Sequence, residues 1–330
     1  MTAARATPPL LVVAALVAFP ILTTGFYLEF VTKVMILAIF ALSLELLVGT
    51  AGLVSLGHAA FYGIAAYATV LLAPQAAAAN LFWLLPAAVL CAALYALVVG
   101  ALSLRTSGVY FIMVTLAFAQ MAYFVFHDTK LGGGTDGIYL NVKPAVVAFG
   151  FPLFDLGKPV AFYYFALAWL LAVFVFLATL LQSRFGRVLA GIKSNEQRMQ
   201  AAGFSTFRYK LAAFTLAGAL AGLAGFLVAV KDGFVNPEML SWHESGAVLL
   251  MVILGGMGRL SGAVLGAFSF ALLQLFFQWD AVFGPFAKHW PLLLGATIIA
   301  FVALMPDGLI GLAGQWRAWR ARRKLVIDHA

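Results

Sequence analysis

Charged side chains are scarce in this sequence, since Asp, Glu, Lys and Arg together make up 10% of 330 residues. A soluble globular domain carries about 25%, so this chain has too few charges to cover a water-exposed surface. The same scarcity excludes a disordered chain, because disorder requires high charge and low hydrophobicity. Apolar side chains instead make up 64% of the residues, and the mean hydropathy is +1.04. These values predict a polytopic membrane protein.

Cysteine is nearly absent. Cys91 is the single cysteine, and it lies inside an apolar run. One cysteine can form neither an intrachain disulfide nor a thiolate metal site. We therefore interpret Cys91 as a small buried hydrophobic residue, and the redox compartment stays open.

Recognisable catalytic motifs are missing as well. The five histidines are scattered without ligand spacing, and the sequence contains no H-E-x-x-H zinc motif. It also contains no G-x-x-x-x-G-K-[ST] phosphate loop, so we expect no ATP hydrolysis through that motif. We predict a chain that is not an enzyme and that binds no metal and no cofactor of its own.

The chain is basic, with a net charge of +8. Such a charge would suit nucleic-acid binding. The basic residues, however, lie between apolar stretches and near the C-terminus rather than on one polar face. The positive-inside bias of membrane proteins explains them better, so we expect contact with membrane lipid and no nucleic-acid partner.

Long apolar runs dominate the chain, and a bilayer-spanning helix needs about 20 mostly apolar residues. Ten segments qualify: 9–28, 30–49, 57–73, 81–103, 108–127, 160–182, 210–230, 243–258, 261–279 and 287–306. The weakest are 57–73 and 243–258, which are short and Gly-rich or polar at one end. The predicted fold class is all-α, a polytopic integral membrane protein with about ten transmembrane helices in one domain, residues 1–330.

The first apolar segment has a second interpretation. Arg5 precedes the run and Pro20 could end it, as in a signal peptide. No clear small-x-small cleavage site follows, so we favour a retained first helix.

The basic residues predict the orientation of the helices. Six lie in or beside the connection 183–209, and five lie in the tail 313–330, namely Arg317, Arg320, Arg322, Arg323 and Lys324. Placing both segments in the cytoplasm and alternating through ten spans leaves fourteen basic residues inside and six outside. Eight acidic residues also fall outside. An even number of spans with both termini cytoplasmic therefore fits the positive-inside bias.

The longest predicted outer connection, about 128–159, contains a glycine motif. Gly132, Gly134 and Gly137 match G-x-G-x-x-G, but a dinucleotide site needs this motif between a strand and a helix. We therefore reject nucleotide binding. A flexible or tightly turned loop is one alternative; we favour a structured external loop at a pathway mouth or partner surface. Its candidate residues are Gly134, Thr135, Asp136 and Gly137.

Glu45 is the only carboxylate well inside a predicted span. A charge at mid-membrane costs about 2.5–3.5 kcal/mol on insertion scales, so such a residue usually faces protein or a water-filled path. We favour a role in lining a path or in interhelical bonding. Because Glu45 lies near one end of its helix, it could instead reach the membrane interface.

A Gly-rich break follows in residues 49–63. Ser55, Gly57 and His58 interrupt an otherwise apolar pattern there. Irregular backbone at membrane depth is tolerated where it lines a cavity, and a half-helix N-terminus can attract a substrate carboxylate. A short turn followed by close glycine-mediated packing is equally compatible. A second Gly-rich break at 254–266 suggests a distant duplication.

Thr115 and Gln120 lie in the apolar segment 108–127. Interhelical hydrogen bonding is their favoured role, and contact with a transported solute is the alternative. Proton-driven carriers usually hold several buried ionisable groups, whereas this chain has one. An external energy source is therefore favoured over proton coupling.

Several ordered blocks carry a family resemblance. They are GLVSLGHAAFYGIAAYA (52–68), VTLAFAQ (114–120), GGGTDGI (132–138), FGRVLAGIKSNEQRMQAAGFSTFRYKLAAF (185–214), LAGLAGFL (220–227) and VILGGMGRLSGAVLGA (252–267). Together they resemble the branched-chain amino acid ABC transporter permease family, on the LivM-type side of its paired subunits. The resemblance extends from about residue 30 to 312.

The resemblance implies an ABC importer permease fold in a bacterial cytoplasmic membrane. It implies an extracytoplasmic solute-binding protein, a second homologous permease subunit and two cytoplasmic ATPase subunits that use ATP. The ATPases would touch a short coupling helix in the inner loop 183–209. The residues that would carry this coupling are Lys193, Glu196, Arg198, Ala201, Ala202 and Gly203. An ordinary basic loop held by lipid headgroups is the competing interpretation.

The solute is less defined than the family. Relatives of this type are thought to carry urea, amides and aromatic acids as well, but the GTDG block at 134–137 looks more like the amino acid permeases. Glu45 departs from the family pattern, in which an uncharged amide is usual, and a carboxylate there could alter selectivity or pH response. A stand-alone channel, an ion-coupled carrier and a membrane-embedded enzyme remain the alternatives from other classes.

Overall fold

The computed structural model describes residues 7–23, 25–74, 76–148, 151–305 and 308–311. Arg5 and the predicted basic tail 313–330 lie outside the described residues. The helices are α1 (Thr7–Leu22), α2 (Phe26–Glu45), α3 (His58–Leu72), α4 (Leu81–Ser103), α5 (Val109–Asp128), α6 (Pro159–Gln182), α7 (Arg184–Ser194), α8 (Glu196–Ala201), α9 (Thr206–Asp232), α10 (Trp242–Gly255), α11 (Leu260–Phe277), α12 (Asp280–Phe283) and α13 (Trp290–Leu304). The predicted all-α class is confirmed.

Seven helical segments among the described residues are long and apolar enough to cross a membrane. They are Phe26–Ala51, Leu81–Ser103, Val109–Asp128, Pro159–Gln182, Thr206–Asp232, Leu260–Phe277 and Asp280–Leu304. Three shorter apolar helices are Val12–Leu22, His58–Leu72 and Trp242–Gly255. Each of the ten predicted segments thus corresponds to one apolar helix. That all ten cross a membrane stays a prediction.

Four short strands accompany the helices: β1 (Ile138–Tyr139), β2 (Val146–Ala148), β3 (Phe151–Phe154) and β4 (Phe234–Val235). β1 pairs antiparallel with β4, and β2 pairs antiparallel with β3. The β1–β4 pair joins the segment after α5 to the segment after α9. These pairs lie outside the apolar runs and define one end of the bundle.

The centre of the bundle is formed by α2 and α9, whose residues are mostly buried. Small residues allow α9 to approach its neighbours closely. A Cβ on Gly222 would lie 2.6 Å from the Ala92 Cβ of α4, and one on Gly225 would overlap the Tyr62 carbonyl of α3. The small residues of the segment 218–227 therefore form a packing surface.

The first helix packs against α6 rather than standing apart. The Tyr163 hydroxyl donates to the Leu16 carbonyl at 2.7 Å, and the Tyr164 hydroxyl donates to the Val17 carbonyl at 3.1 Å. The two acceptors, the Leu16 and Val17 carbonyls, belong to consecutive residues of α1. The interaction is typical of a helix that forms part of the bundle.

Two features of the helices were not predicted from residue pattern alone. The first is a π-helix, Leu46–Ala51, which continues α2 beyond Glu45. The second is α7, inside the connection 183–209. It buries Val188, Leu189 and Ile192 and exposes Arg184 and Arg187. Such a helix is amphipathic, so it lacks the continuous apolar run that marks a membrane span.

Candidate functional site

The end of α2 has an irregular backbone. After Glu45 the chain forms the π-helix, and Gly52 then closes it by donating its N–H to the Leu47 carbonyl. The amide of Leu53 donates to the same carbonyl at 3.0 Å. π-Helical turns are rare and are found frequently at functional sites. This end of the bundle, next to α7 and α8, contains most of the predicted site residues.

Glu45 is buried, with 2% of its surface exposed. Its Oε1 accepts a hydrogen bond from the Gly258 N–H at 2.7 Å, while Oε2 has no hydrogen-bond partner within the described residues. The carboxylate lies directly over Gly49, where any Cβ would overlap it. Glu45 therefore contacts the turn between α10 and α11 in this structure.

His58 lies at the start of α3, where aromatic rings and helix α2 enclose it. Its Nε2 is 2.8 Å from the Ser43 hydroxyl, and its ring stacks on Phe40 with centroids 5.5 Å apart. Phe61 meets the same ring edge-on. The His58 side chain is fully buried, and its Nδ1 has no hydrogen-bond partner among the described residues.

Two backbone N–H groups at the start of α3 donate hydrogen bonds to serine side chains. The Ser245 hydroxyl, from α10, accepts from the Ala59 N–H at 2.9 Å, and the Ser55 hydroxyl accepts from the Gly57 N–H at 3.2 Å. A capped helix N-terminus has fewer donors left for an anionic ligand. The geometry thus suits a helix start that is fixed by its neighbours.

Thr115 of α5 lies next to this helix start. A Cβ on Gly57 would overlap the Thr115 carbonyl oxygen, so the two predicted path residues are in direct contact. The Thr115 hydroxyl donates within its own helix, to the Ile112 carbonyl at 2.9 Å, rather than to another helix. Gln120, further along α5, is half-buried.

The glycine loop after α5 is structured. Residues Gly134–Asp136 form a 3-10 turn, and Gly137 follows it and approaches the backbone of β4 closely. Tyr67 of α3 stacks on Phe126 with centroids 4.3 Å apart and donates its hydroxyl to the Gly132 carbonyl at 3.3 Å. The motif precedes a two-residue strand rather than connecting a strand to a helix, which is unlike a dinucleotide site.

The predicted coupling segment forms α8 and the turn that follows it. Asn195 caps α8, since its Oδ1 accepts the Arg198 N–H at 2.9 Å, and Glu196 forms an ion pair with Lys210 of α9. None of the residues of α8 is buried. Gly203 has a φ of 86°, a conformation that side-chain-bearing residues rarely adopt. Ala201, Ala202 and Gly203 are exposed.

Lys193 differs from the rest of that segment. Its Nζ donates to the Gly49 carbonyl at 2.7 Å, and its aliphatic chain crosses Gly52. Lys193 thus contacts the π-helix, although its side chain, like that of Arg198, is exposed. A cavity of about 540 Å³ opens beside it, between the π-helix, the α4–α5 turn and the start of α8. The structure brings the path candidate Glu45 and the coupling candidate Lys193 to one place.

Several charged residues at the opposite end of the bundle entered the sequence prediction only as charges on the predicted outer side. There a cavity of about 270 Å³ contains Glu29, Lys143, Lys231 and Asp232. Lys231 and Asp232 form an ion pair at 2.7 Å. The signal that could have identified them is the presence of both charge signs at the ends of two central helices, α2 and α9. Gly258 was missed because its backbone, rather than its side chain, makes the contact.

Most of the chain is similar to proteins that are already known. Residues 26–302 match the family described as branched-chain amino acid transport system / permease component. The chain is 32% identical over 314 residues to the high-affinity branched-chain amino acid transport system permease protein LivM of Escherichia coli strain K12, covering 89% of this chain and 72% of the relative. For LivM of Salmonella typhimurium the identity is 31% over 321 residues, or 91% and 73% of the two chains.

A more distant relative aligns over part of the chain. The autoinducer 2 import system permease protein LsrC of Escherichia coli O9:H4 is 34% identical over 140 residues, covering 40% of this chain and 39% of the relative. No solved structure matches the chain. The relatives share the description of a permease and differ in the solute that their names state.

Proposed function

The chain belongs to the family of branched-chain amino acid transport system permease components, and from this premise we propose that it is the membrane-spanning subunit of an ATP-binding-cassette importer. It moves branched-chain or related amino acids inward by alternating access. The chain binds no cofactor, and ATP is used by two separate cytoplasmic ATPase subunits. A second permease subunit and an extracytoplasmic binding protein complete the importer, which lies in the bacterial cytoplasmic membrane with both termini of this chain inside.

The observation that carries this proposal is the exposed helix α8. A helix of six residues that buries none of them contributes little to the core, yet Asn195 and the Glu196–Lys210 pair hold it in place. A fixed, polar and exposed helix at one end of an apolar bundle suits docking to a soluble partner. We assign ATPase contact to Glu196, Arg198 and the exposed residues through Gly203.

The finer choice of solute is supported by the outer cavity. A free branched-chain amino acid carries a carboxylate, an ammonium group and an apolar side chain. Lys143 and Lys231 suit the carboxylate, Glu29 suits the ammonium group, and Leu28 and Phe162 line the same cavity. Urea and neutral amides need no such pair of opposite charges, and an aromatic acid needs only the positive one. We therefore favour amino acids.

Reconstitution tests this function. The chain is placed in proteoliposomes with its partner permease and ATPases, with the binding protein added outside. We expect leucine uptake that requires ATP, and no uptake of leucinol or of 4-methyl-2-oxopentanoate, which lack the carboxylate and the ammonium group respectively. Uptake of urea in place of leucine would contradict the solute. Leucine flux through the chain alone would favour a channel or an ion-coupled carrier.

Variants separate the cavity from general effects. Lys231→Met removes a positive charge from the cavity, and we expect it to weaken leucine uptake. Lys288→Met removes an exposed lysine outside the cavity and serves as the matched control. Equal uptake by both variants would contradict the role assigned to Lys231.

A further inference from the structure

Three chain segments that are distant in sequence meet at the α7–α8 end of the bundle. They are the π-helix after α2, the last turn of α7 and the turn between α10 and α11. We call the residues that join them, Glu45, Gly49, Lys193 and Gly258, the Glu45 cluster. Two side chains make the connections, and both bind backbone groups.

The first connection runs from α2 to the α10–α11 turn. The Glu45 carboxylate accepts the Gly258 N–H at 2.7 Å, across 213 positions in sequence. Gly258 has a φ of 87°, so the turn that presents this N–H is one that glycine adopts without strain. A hydrogen bond to a charged acceptor is about twice as strong as a neutral one. The bond therefore fixes the turn against α2.

The second connection runs from α7 to the same part of α2. The Lys193 Nζ donates to the Gly49 carbonyl at 2.7 Å. Gly49 lies one helical turn beyond Glu45, with the Glu45 carboxylate lying over it. Lys193 also precedes Asn195, the cap of α8, by two residues. The cap of α8 therefore lies two residues from a side chain that binds Gly49.

Stability alone does not account for the Glu45 carboxylate. Burying a charge is expensive unless it is paired and fully hydrogen-bonded. Glu45 is 2% exposed, yet its Oε2 has no hydrogen-bond partner within the described residues. The Lys193 ammonium group and the Glu45 carboxylate both contact Gly49, so the two side chains meet at one residue of the π-helix.

We propose that the Glu45 cluster is a rigid link that makes α8, the end of α2 and the α10–α11 turn move as one body. Glu45 and Lys193 are positioning residues in this link. In the proposed function, this link carries motion from an ATPase at α8 to two membrane helices. Only this use of the link rests on the proposed function. The link itself is a property of this chain.

Distances between spin labels test the link in the isolated full-length chain. Cys91→Ser removes the single cysteine, and Gln197→Cys and Met257→Cys place labels on exposed residues of α8 and the α10–α11 turn. In lipid nanodiscs we expect one narrow distance distribution. Lys193→Met should broaden it to roughly twice its width, since the freed elements then populate several arrangements.

Matched variants separate the link from loss of a surface charge. Lys193→Arg keeps a donor for the Gly49 carbonyl and should restore the narrow distribution. Arg184→Met removes an exposed charge from the same helix and should leave it narrow. Glu45→Ala should broaden it as Lys193→Met does, because each variant removes one of the two connections between the labelled elements. If Glu45→Ala does not fold, the lysine variants carry the test.

Unchanged widths in Lys193→Met would overturn the proposal. In the reconstituted importer, we expect Lys193→Met to lower the solute moved per ATP hydrolysed by about fivefold or more, the low end of typical coupling free energies. An unchanged ratio would also overturn it. Absence of ATP-driven uptake in the unsubstituted importer would contradict the proposed function instead, and the label distances would still decide on the link.

Discussion

Replacing Gly225 with alanine should destabilise the bundle by an amount that the structure allows us to work out. A Cβ on Gly225 would overlap the Tyr62 carbonyl, which is backbone and cannot rotate away. Helix α9 would have to move from α3 along a buried interface. Overpacking of this kind costs about 1–3 kcal/mol. Alanine also returns up to about 1 kcal/mol through helix propensity.

With the full propensity gain, the expected net effect is a loss of up to about 2 kcal/mol in the free energy of unfolding. Gly246→Ala is the matched control, because a Cβ on Gly246 of α10 would meet no atom within 4 Å. There only the propensity gain applies, so this variant should be as stable as the parent or about 1 kcal/mol more stable. The two substitutions add the same methyl group and should act in opposite directions.

Reversible unfolding of the purified chain by SDS in mixed micelles, followed by circular dichroism, measures both free energies. Each variant is compared with the parent chain at the same micelle composition. Equal stability of Gly225→Ala and Gly246→Ala would refute the reasoning, since it would mean that α9 does not approach α3 as closely as the structure shows.

Two further substitutions test local features of the candidate site. Asn195→Ala removes the cap of α8, which is worth about 1 kcal/mol, so hydrogen exchange of the α8 amides should accelerate about fivefold, while Ser194→Ala should not change it. Tyr67→Phe removes the hydroxyl that binds the Gly132 carbonyl, so the amides of the glycine loop should exchange faster by a factor that corresponds to about 0.5–1.5 kcal/mol. Tyr139 is exposed in the same region, so Tyr139→Phe is the control and should leave that exchange unchanged. Equal exchange rates in the two variants would contradict the role of the Tyr67 hydroxyl in holding the glycine loop.

The sequence was sufficient to predict the ten apolar helices, because such a helix is marked by length and apolar composition. It did not identify α7 as a helix by residue pattern, because its buried residues Val188, Leu189 and Ile192 form only a short apolar stretch between Arg187 and Lys193. The resemblance placed a short helix near Gly203, and α8 lies there. Its contact with an ATPase stays a proposal.

The candidate site was less predictable than the helices. Glu45 stood out as a charge within an apolar run, but its partner is a backbone amide 213 residues away. No residue type marks such a donor. Lys193 belonged to a basic segment in which every lysine or arginine suited a docking surface equally well. Only the folded chain shows which of these exposed basic residues, Lys193, binds the Gly49 carbonyl.

The end of the bundle that contains β1 and β4 depends on contacts between distant segments as well. β1 and β4 have two residues each, and neither would be identified as a strand by its own sequence. Their pairing joins the loop after α5 to the end of α9. Short strands of this kind are defined by their partner rather than by local propensity.

The side of the membrane on which α8 lies tests the central claim most directly. Gln197→Cys in the Cys91→Ser background gives a single exposed thiol on α8, and Lys130→Cys gives one at the opposite end of the bundle. With a membrane-impermeant maleimide on spheroplasts, we predict that the thiol at position 130 reacts at once and that the one at position 197 reacts only after the membrane is opened. Reaction at position 197 in intact spheroplasts would contradict a permease driven from the cytoplasm through α8.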